Sequence, residues 1–340
     1  MRILAFSLSH VNHPPDNGPD EFPMKAVFLD WATMGPDLDL GAMRALLPNL
    51  ELYEESTEDE VVERVAGAAI VLGNKVMISE SIFAGSPDLR FIGLTATGTD
   101  NINLEAARKH GVGVANIRAY CTQSVVEHVF GCILMLTHSL GRYDADVRRG
   151  VWQEASVFTL LTHPLGELSA MTLGIIGFGE LGKGVARVAE TFGMDVLKAA
   201  RPGSDDVPAG RVSLDELLAR ADIISLHCPL TDATRGLLGA REFRAMKDSA
   251  ILVNTARGAL IDTGALADAL RQGDIAAAAI DVLPKEPPLD GDPLLDYDGD
   301  NLIVTPHIAW ATREARQAAI DELTANVAAF LEGRERNRVV

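Results

Sequence analysis

From Met24 onward, short apolar runs alternate with stretches whose apolar positions recur at helical spacing. Val27–Leu29, Ala69–Leu72, Phe91–Leu94 and Gly113–Val114 read as strands. Asp39–Leu47, Glu58–Val65 and Leu104–His110 read as helices, the second led by a Ser/Thr-x-x-Asp/Glu start signal in Ser56–Asp59. Strands alternating with helices predict a doubly wound parallel sheet. Thr122–Leu140 is a longer helical pattern rich in buried-type residues, and its length suits a helix joining two domains.

A second alternating block follows. Thr172–Ile176, Asp195–Leu197, Ile223–Leu226, Ala250–Asn254, Ala277–Asp281 and Leu302–Val304 are strand-like. Leu181–Phe192, Leu214–Ala219, Ala240–Met246 and Thr263–Arg271 are the helices between them. A Pro-rich loop, Pro284–Pro293, precedes a final helix, Arg313–Glu332, which has no sheet partner of its own and is expected to return to the first domain. The fold class is α/β, with residues 24–121 and 310–340 forming one discontinuous domain and residues 122–309 the other. Residues 1–23, polar and Pro-rich after Leu8, read as an N-terminal extension, with an edge strand at Arg2–Leu8 as the alternative.

Composition narrows the partners. Thirty basic against 48 acidic residues leave a net charge of −18. Such a surface repels phosphate backbones and anionic lipid, so neither nucleic acid nor a membrane is an expected partner. No uncharged apolar run approaches the roughly 20 residues that cross a bilayer. Three scattered cysteines, Cys121, Cys132 and Cys228, make neither a disulfide framework nor a metal motif. A soluble cytoplasmic protein is expected.

Leu173–Gly182 is an apolar strand running into G-x-G-x-x-G and then a helix-compatible segment. Gly177 permits the tight turn, Gly179 lets backbone approach a pyrophosphate, and Gly182 lets helix and strand pack closely. The helix N-terminus adds free N–H groups and a positive dipole end. In NAD sites the second strand usually ends in Asp or Glu, which accepts bonds from the ribose hydroxyls. Here that end holds Ala200, followed by Arg201 and, shortly after, Ser204. A guanidinium and a hydroxyl suit a 2′-phosphate, so NADP(H) is the expected preference, with NAD as the other possibility.

Three further segments close predicted strands: Val253–Gly258, Asp281–Pro288 and Thr305–Trp310. Carboxyl ends of parallel strands face the ligand crevice, so Arg257, Glu286 and His307 can converge. Singly they read as a surface charge, a solvated loop carboxylate and a helix-start residue; beside a dinucleotide turn they make a catalytic set. Together with Gly177–Gly182, these segments resemble the D-isomer-specific 2-hydroxyacid dehydrogenase family. Ala96–Ile102 and Tyr120–His128 are similar to its glycerate dehydrogenase and glyoxylate/hydroxypyruvate reductase branch.

The resemblance covers Met24 to Val340 and implies a flavodoxin-like substrate domain with an inserted Rossmann domain. It also implies a homodimer built around an arm near Gly141–Trp152. Arg257, Glu286 and His307 take the catalytic positions, Asp281 the nicotinamide side, and His227, Cys228 and Pro229 the adenosine side. Ser124, Glu180, Leu181, Thr255 and Ala256 join the cofactor set. Asn74, Lys75, Val76, Thr97 and Gly98 offer groups to the substrate, with Trp310 near the pocket. No metal is implied.

The chemistry suits these residue types. Reduction of a 2-keto acid adds hydride to a carbonyl carbon while charge grows on its oxygen. An imidazolium at His307 can donate the proton, a carboxylate at Glu286 orients the ring, and Arg257 can bind the carboxylate and polarise the carbonyl. The implied activity is NADPH-linked reduction of glyoxylate and hydroxypyruvate. A dehydrogenase of bulkier D-2-hydroxy acids using NAD and a dinucleotide-sensing regulator are the alternatives. Glu127 and His128 point to different faces of a helix and form no metal pair; His128 reads as a packing or interdomain residue. Removing residues 1–23 is expected to leave melting temperature and activity unchanged. A large loss in either would place those residues within the fold.

Overall fold

The structure is a computed structural model that describes residues 24–203 and 206–340. The extension at 1–23, with its alternative edge strand, and Ser204 lie outside the described residues. The chain divides into two compact units, one of residues up to Arg118 together with Ala319–Val340, the other Ala119–Ala318. The boundaries therefore shift from 121/122 and 309/310. The reason is packing: Cys121, Ala309 and Trp310 all join a hydrophobic cluster of the second unit.

The first unit begins with β1 (Ala26–Phe28), α1 (Gly41–Leu46), β2 (Leu50–Leu52) and α2 (Glu58–Val65). It continues through β3 (Ile70–Gly73), α3 (Glu80–Gly85), β4 (Phe91–Leu94), α4 (Leu104–His110) and β5 (Gly113–Ala115). All strands are parallel, in the order β2-β1-β3-β4-β5. This is the flavodoxin-like winding. Every residue of β1, β3 and β4 is buried, as expected of strands covered on both faces. The short β2 and α3 carried too little pattern to be read from sequence.

The start of α2 differs by one residue from the expected signal. Thr57, not Ser56, is the cap: its backbone N–H donates to Glu60 at 2.8 Å and its hydroxyl accepts from the Glu60 N–H at 3.4 Å. Ser56 instead donates to the Leu29 carbonyl. At the far edge, the C-terminal tail covers β5, with Val339 N–H donating to Val114 O at 2.8 Å. An exposed strand edge is thereby paired.

The second unit opens with α5 (Thr122–Thr137) and α6 (Leu140–Arg148), where the sequence pattern suggested one helix. Ser139 interrupts it in a left-handed conformation (φ 48°), and the two helices differ in direction by 56°. The Ser139 hydroxyl donates to Pro164 O at 2.8 Å and holds the bend.

Then follow β6 (Thr172–Ile176), α7 (Glu180–Thr191), β7 (Asp195–Lys198), α8 (Leu214–Arg220) and β8 (Ile223–Leu226). The unit is completed by α9 (Ala240–Ala245), β9 (Ile251–Asn254), α10 (Thr263–Gln272), β10 (Ala277–Ile280) and β11 (Leu302–Val304). The last helix, α11 (Arg313–Leu331), carries the chain back into the first unit.

The strands of this sheet lie in the order β11-β10-β9-β8-β6-β7, all parallel. Beyond β7, Val212 makes a single parallel bridge to Ala199. Counting that residual strand restores the 3-2-1-4-5-6 winding of a dinucleotide-binding sheet. The core lies on both faces, in clusters around Leu217, Phe243 and Leu252 on one side and Val129, Ile175 and Val253 on the other.

Candidate active site

Register decides where the functional side chains emerge. Ile176 lies opposite Leu226, Leu226 opposite Asn254, Asn254 opposite Ile280, and Ile280 opposite Val304. Five strands thus end in one row, and the first residues beyond it are Gly177, His227, Thr255, Asp281 and Thr305. Each segment singled out in the second block leaves the sheet at this edge.

At the β6 end of the row the glycines behave as their spacing required. Gly177 has φ 98°, and a Cβ there would lie 2.3 Å from the Cys228 nitrogen and 2.4 Å from the His227 carbonyl carbon. A Cβ on Gly182 would lie 2.3 Å from Gly177 O, whereas one on Gly179 would meet nothing within 4 Å. Gly179 caps the N-terminus of α7, so its open side meets the positive end of a 12-residue helix. Glu180 and Leu181 form the first turn, with Thr122 donating to the Glu180 carboxylate.

A cavity of about 560 Å³ borders this turn, lined also by Ala200, Arg201, Arg211, His227 and Pro229. His227 accepts or donates at Ser225 Oγ through Nε2 at 2.8 Å, and burial pushes its pKa down to about 4, so the ring is neutral near neutral pH. His227 Nδ1 and Thr255 Oγ1 are buried polar atoms without a protein partner. Open space at Gly179 and two orphaned polar atoms in the expected cofactor set fit a dinucleotide. Burial pushes the thiols of Cys121 and Cys228 up to about 11, which leaves them protonated.

Ala200 sits at the end of the second strand of this sheet with Arg201 beyond it, as the sequence indicated. Sequence reasoning missed Arg211 and Lys198. The outer bridge at Val212 brings Arg211 beside the strand end, where its Nη1 donates to Ala199 O at 2.8 Å. Lys198 Nζ lies 4.7 Å, and the Arg211 guanidinium 5.8 Å, from the ring centre of Phe178, the residue between the first two glycines. Asp206 also lines this cavity.

The catalytic candidates meet through backbone packing. Asn254 is fully buried and shapes the turn after β9: its Nδ2 donates to Arg257 O at 2.9 Å, and its Oδ1 accepts from Ala256 N at 3.0 Å. Gly258 then presses against the next loop, where an added Cβ would lie 2.0 Å from the Leu283 carbonyl carbon. That loop carries Glu286, which accepts from Leu283 N at 2.8 Å and from His307 Nδ1 at 2.6 Å. Arg257, Glu286 and His307 therefore belong to three contiguous loops on adjacent strands. Tyr120 lies close enough to Arg257 to feel its charge, although burial dominates and pushes its phenol well up. Its ring meets Trp310 edge-on at 6.2 Å.

His307 adopts φ 57°, a left-handed conformation costing a residue with a Cβ about 1–2 kcal/mol. Asp281 holds it there. Its carbonyl accepts from His307 N at 2.8 Å, and its carboxylate accepts from Ile308 N and Ala309 N at 2.9 Å each and from Thr305 Oγ1 at 2.5 Å. Asp281 was expected at the nicotinamide; the bonds it makes within the protein anchor the His307 loop. Ser124, expected at the cofactor, donates to Ala309 O at 2.7 Å and grips the same loop.

In the first unit, the Asn74–Val76 loop follows β3. Its N–H groups, offered by sequence to a substrate carboxylate, donate to the buried carboxylate of Asp30 at 2.8, 2.6 and 3.2 Å. Burial raises the Asp30 pKa, against the lowering effect of these same bonds. Asp30 was missed, although its place at the end of β1 in a parallel sheet was the available signal. Thr97 and Gly98 follow β4; Thr97 Oγ1 donates to Ile117 O at 3.0 Å and Thr97 O accepts from Asn116 Nδ2 at 2.7 Å.

Comparison with known proteins bears on this arrangement. Residues 130–309 match the family model described as "D-isomer specific 2-hydroxyacid dehydrogenase, NAD binding domain". The chain is 43% identical to a glycerate dehydrogenase of Methylorubrum extorquens, with 93% of this chain and 98% of the relative covered. It is 36% identical to a hydroxypyruvate reductase of Blautia hydrogenotrophica over 91% of this chain and 98% of the relative. Among solved structures, an acyclic imino acid reductase (Bsp5) in complex with NADPH and D-Arg superimposes with TM-score 0.81 at 27% identity, covering 93% of this chain and all of that one. The two parallel-sheet units agree with this similarity, and this chain belongs to the D-isomer-specific 2-hydroxyacid dehydrogenase family.

Proposed function

We propose that the protein reduces small 2-keto acids, glyoxylate and hydroxypyruvate foremost, to D-2-hydroxy acids, with NADPH preferred. The observation that carries this reading is the 2.6 Å pairing of His307 Nδ1 with Glu286, joined to the Arg257 turn through Gly258. With Nδ1 engaged, Nε2 is the nitrogen that gives its proton to the carbonyl oxygen as charge develops there. Glu286 holds the ring in that orientation. Arg257 pairs with the substrate carboxylate and polarises the carbonyl through its rigid fork of donors. Gly177, Gly179, Gly182 and the α7 N-terminus would hold the pyrophosphate, and the reduced nicotinamide supplies the hydride. In the reverse direction the neutral imidazole takes the proton from the hydroxyl.

The NADPH preference rests on Ala200 where a carboxylate would repel a 2′-phosphate, and on Arg201 and Arg211 lining the same cavity. The names of the relatives support small hydroxy and keto acids as substrates. A homodimer is part of the proposal. The segment 151–165 exposes Val157, Leu161 and Phe158, the last at 89%, and an apolar arm of this kind suits burial by a second copy.

Three outcomes are expected. His307→Gln lowers kcat for hydroxypyruvate reduction by roughly 10²–10⁴-fold and spares NADPH binding; full activity would remove the proton-donor role. Arg201→Ala lowers kcat/KM with NADPH by roughly 10–100-fold and leaves the NADH value nearly unchanged. A parent enzyme that favours NADH would end the cofactor reading. In sedimentation velocity the parent runs as a dimer and Phe158→Asp as a monomer, whereas a monomeric parent would refute the assembly.

A further inference from the structure

We propose that His128 is a positioning residue for the catalytic loop: from α5 it holds Thr305 beside the buried carboxylate of Asp281 and so maintains the left-handed turn that aims His307. The assignment rests on the reading of His307 as proton donor. His128 Nε2 lies 3.2 Å from Thr305 Oγ1 and 3.8 Å from Asp281 Oδ1, with only 18% of its side chain exposed.

Hydrogen-bond bookkeeping gives the contact a direction. Thr305 has one hydroxyl hydrogen, and a carboxylate can only accept, so that hydrogen goes to Asp281 at 2.5 Å. Thr305 Oγ1 must then accept from His128, which places a hydrogen on Nε2. The bond chain runs from His128 through Thr305 to Asp281, whose other acceptor positions take Ile308 N and Ala309 N.

Helix geometry adds a second grip. Ser124 stands four residues before His128 on α5, so the two share a face. Ser124 takes Ala309 O at the end of the loop while His128 takes Thr305 at its start. One helix face therefore clamps both ends of residues 305–309, between which His307 keeps its left-handed φ of 57°. Cys132, one further turn along, has its thiol pushed up to about 11 by burial and by the Asp281 charge, and so adds no competing charge.

The contact predicts a defect in aim. His128→Leu removes the donor, whereas the amide of His128→Gln can place a nitrogen near the original Nε2. We expect His128→Leu to lower kcat by roughly 10–100-fold, the scale of an ångström-sized misplacement of a reacting group. NADPH affinity, read by fluorescence titration, is expected to stay within about twofold. Kinetic isotope effects, from deuterated cofactor and from D₂O, should rise as chemistry becomes limiting. In the cofactor-free protein, amide exchange at Ile308 and Ala309 should accelerate with little change in melting temperature. His128→Gln should recover most of kcat.

Parental kcat, isotope effects and exchange rates in His128→Leu would overturn the proposal. So would a joint loss of kcat, NADPH affinity and melting temperature that His128→Gln shares, since that marks plain packing. His307→Gln measured in parallel separates the two readings. If it remains fully active, the proton-donor role has failed; if it is inactive while His128→Leu is normal, only the His128 assignment has.

Discussion

Parallel strands deliver all their carboxyl ends to one edge of a sheet, and the site depends on how evenly these ends are aligned. Ile176, Leu226, Asn254, Ile280 and Val304 stop opposite one another, so five loops start from a common row. A slip of one residue in any pairing would turn its loop's first side chain to the other face of the sheet. Buried strands on both faces make such a slip costly, because β8, β9 and β10 expose no residue at all. Core packing and site geometry are thus the same constraint seen from two ends.

Beyond the row, the loops need specific help to hold their shapes. Gly258 allows the Arg257 turn to touch the Leu283–Pro284 backbone, which no side chain could permit. Asp281 spends almost no surface on solvent and instead organises the His307 loop through its carbonyl and both carboxylate oxygens. A buried carboxylate is tolerable when it accepts this many hydrogen bonds. The strained residue is also the catalytic candidate, which fits the tendency of unusual backbone to gather at functional sites.

Charge is distributed unevenly in a useful way. The chain as a whole carries −18, yet Arg201 and Arg211 line the cavity beside the glycine turn. A diffuse negative field discourages polyanions, while a local pair of guanidiniums with a helix N-terminus can still receive a compact anionic group. In the first unit the same logic appears inside the protein, where the carboxylate of Asp30 takes three successive backbone N–H groups.

Much of this was legible in the chain itself. Apolar runs bounded by turn residues located β4, β6, β8 and β11 to the residue, and the glycine spacing marked the tight turn between β6 and α7. The short β2 and α3 carried too little pattern to be legible, and the break at Ser139 and the one-residue shift of the α2 cap were not legible because each involves a partner distant in sequence. Arg257, Glu286 and His307 were singled out by their places at the ends of expected strands beside the glycine turn and by the family resemblance, since each residue type taken singly reads as bland. Only the folded chain decided that Asp30 fills the Asn74–Val76 amides, that Arg211 lines the cavity beside the glycine turn and that α5 grips the His307 loop. Covalent order and side-chain type set what a segment can become; hydrogen bonds between distant segments, as between Ser124 and Ala309, 185 residues apart, exist only once packing has removed the competing water.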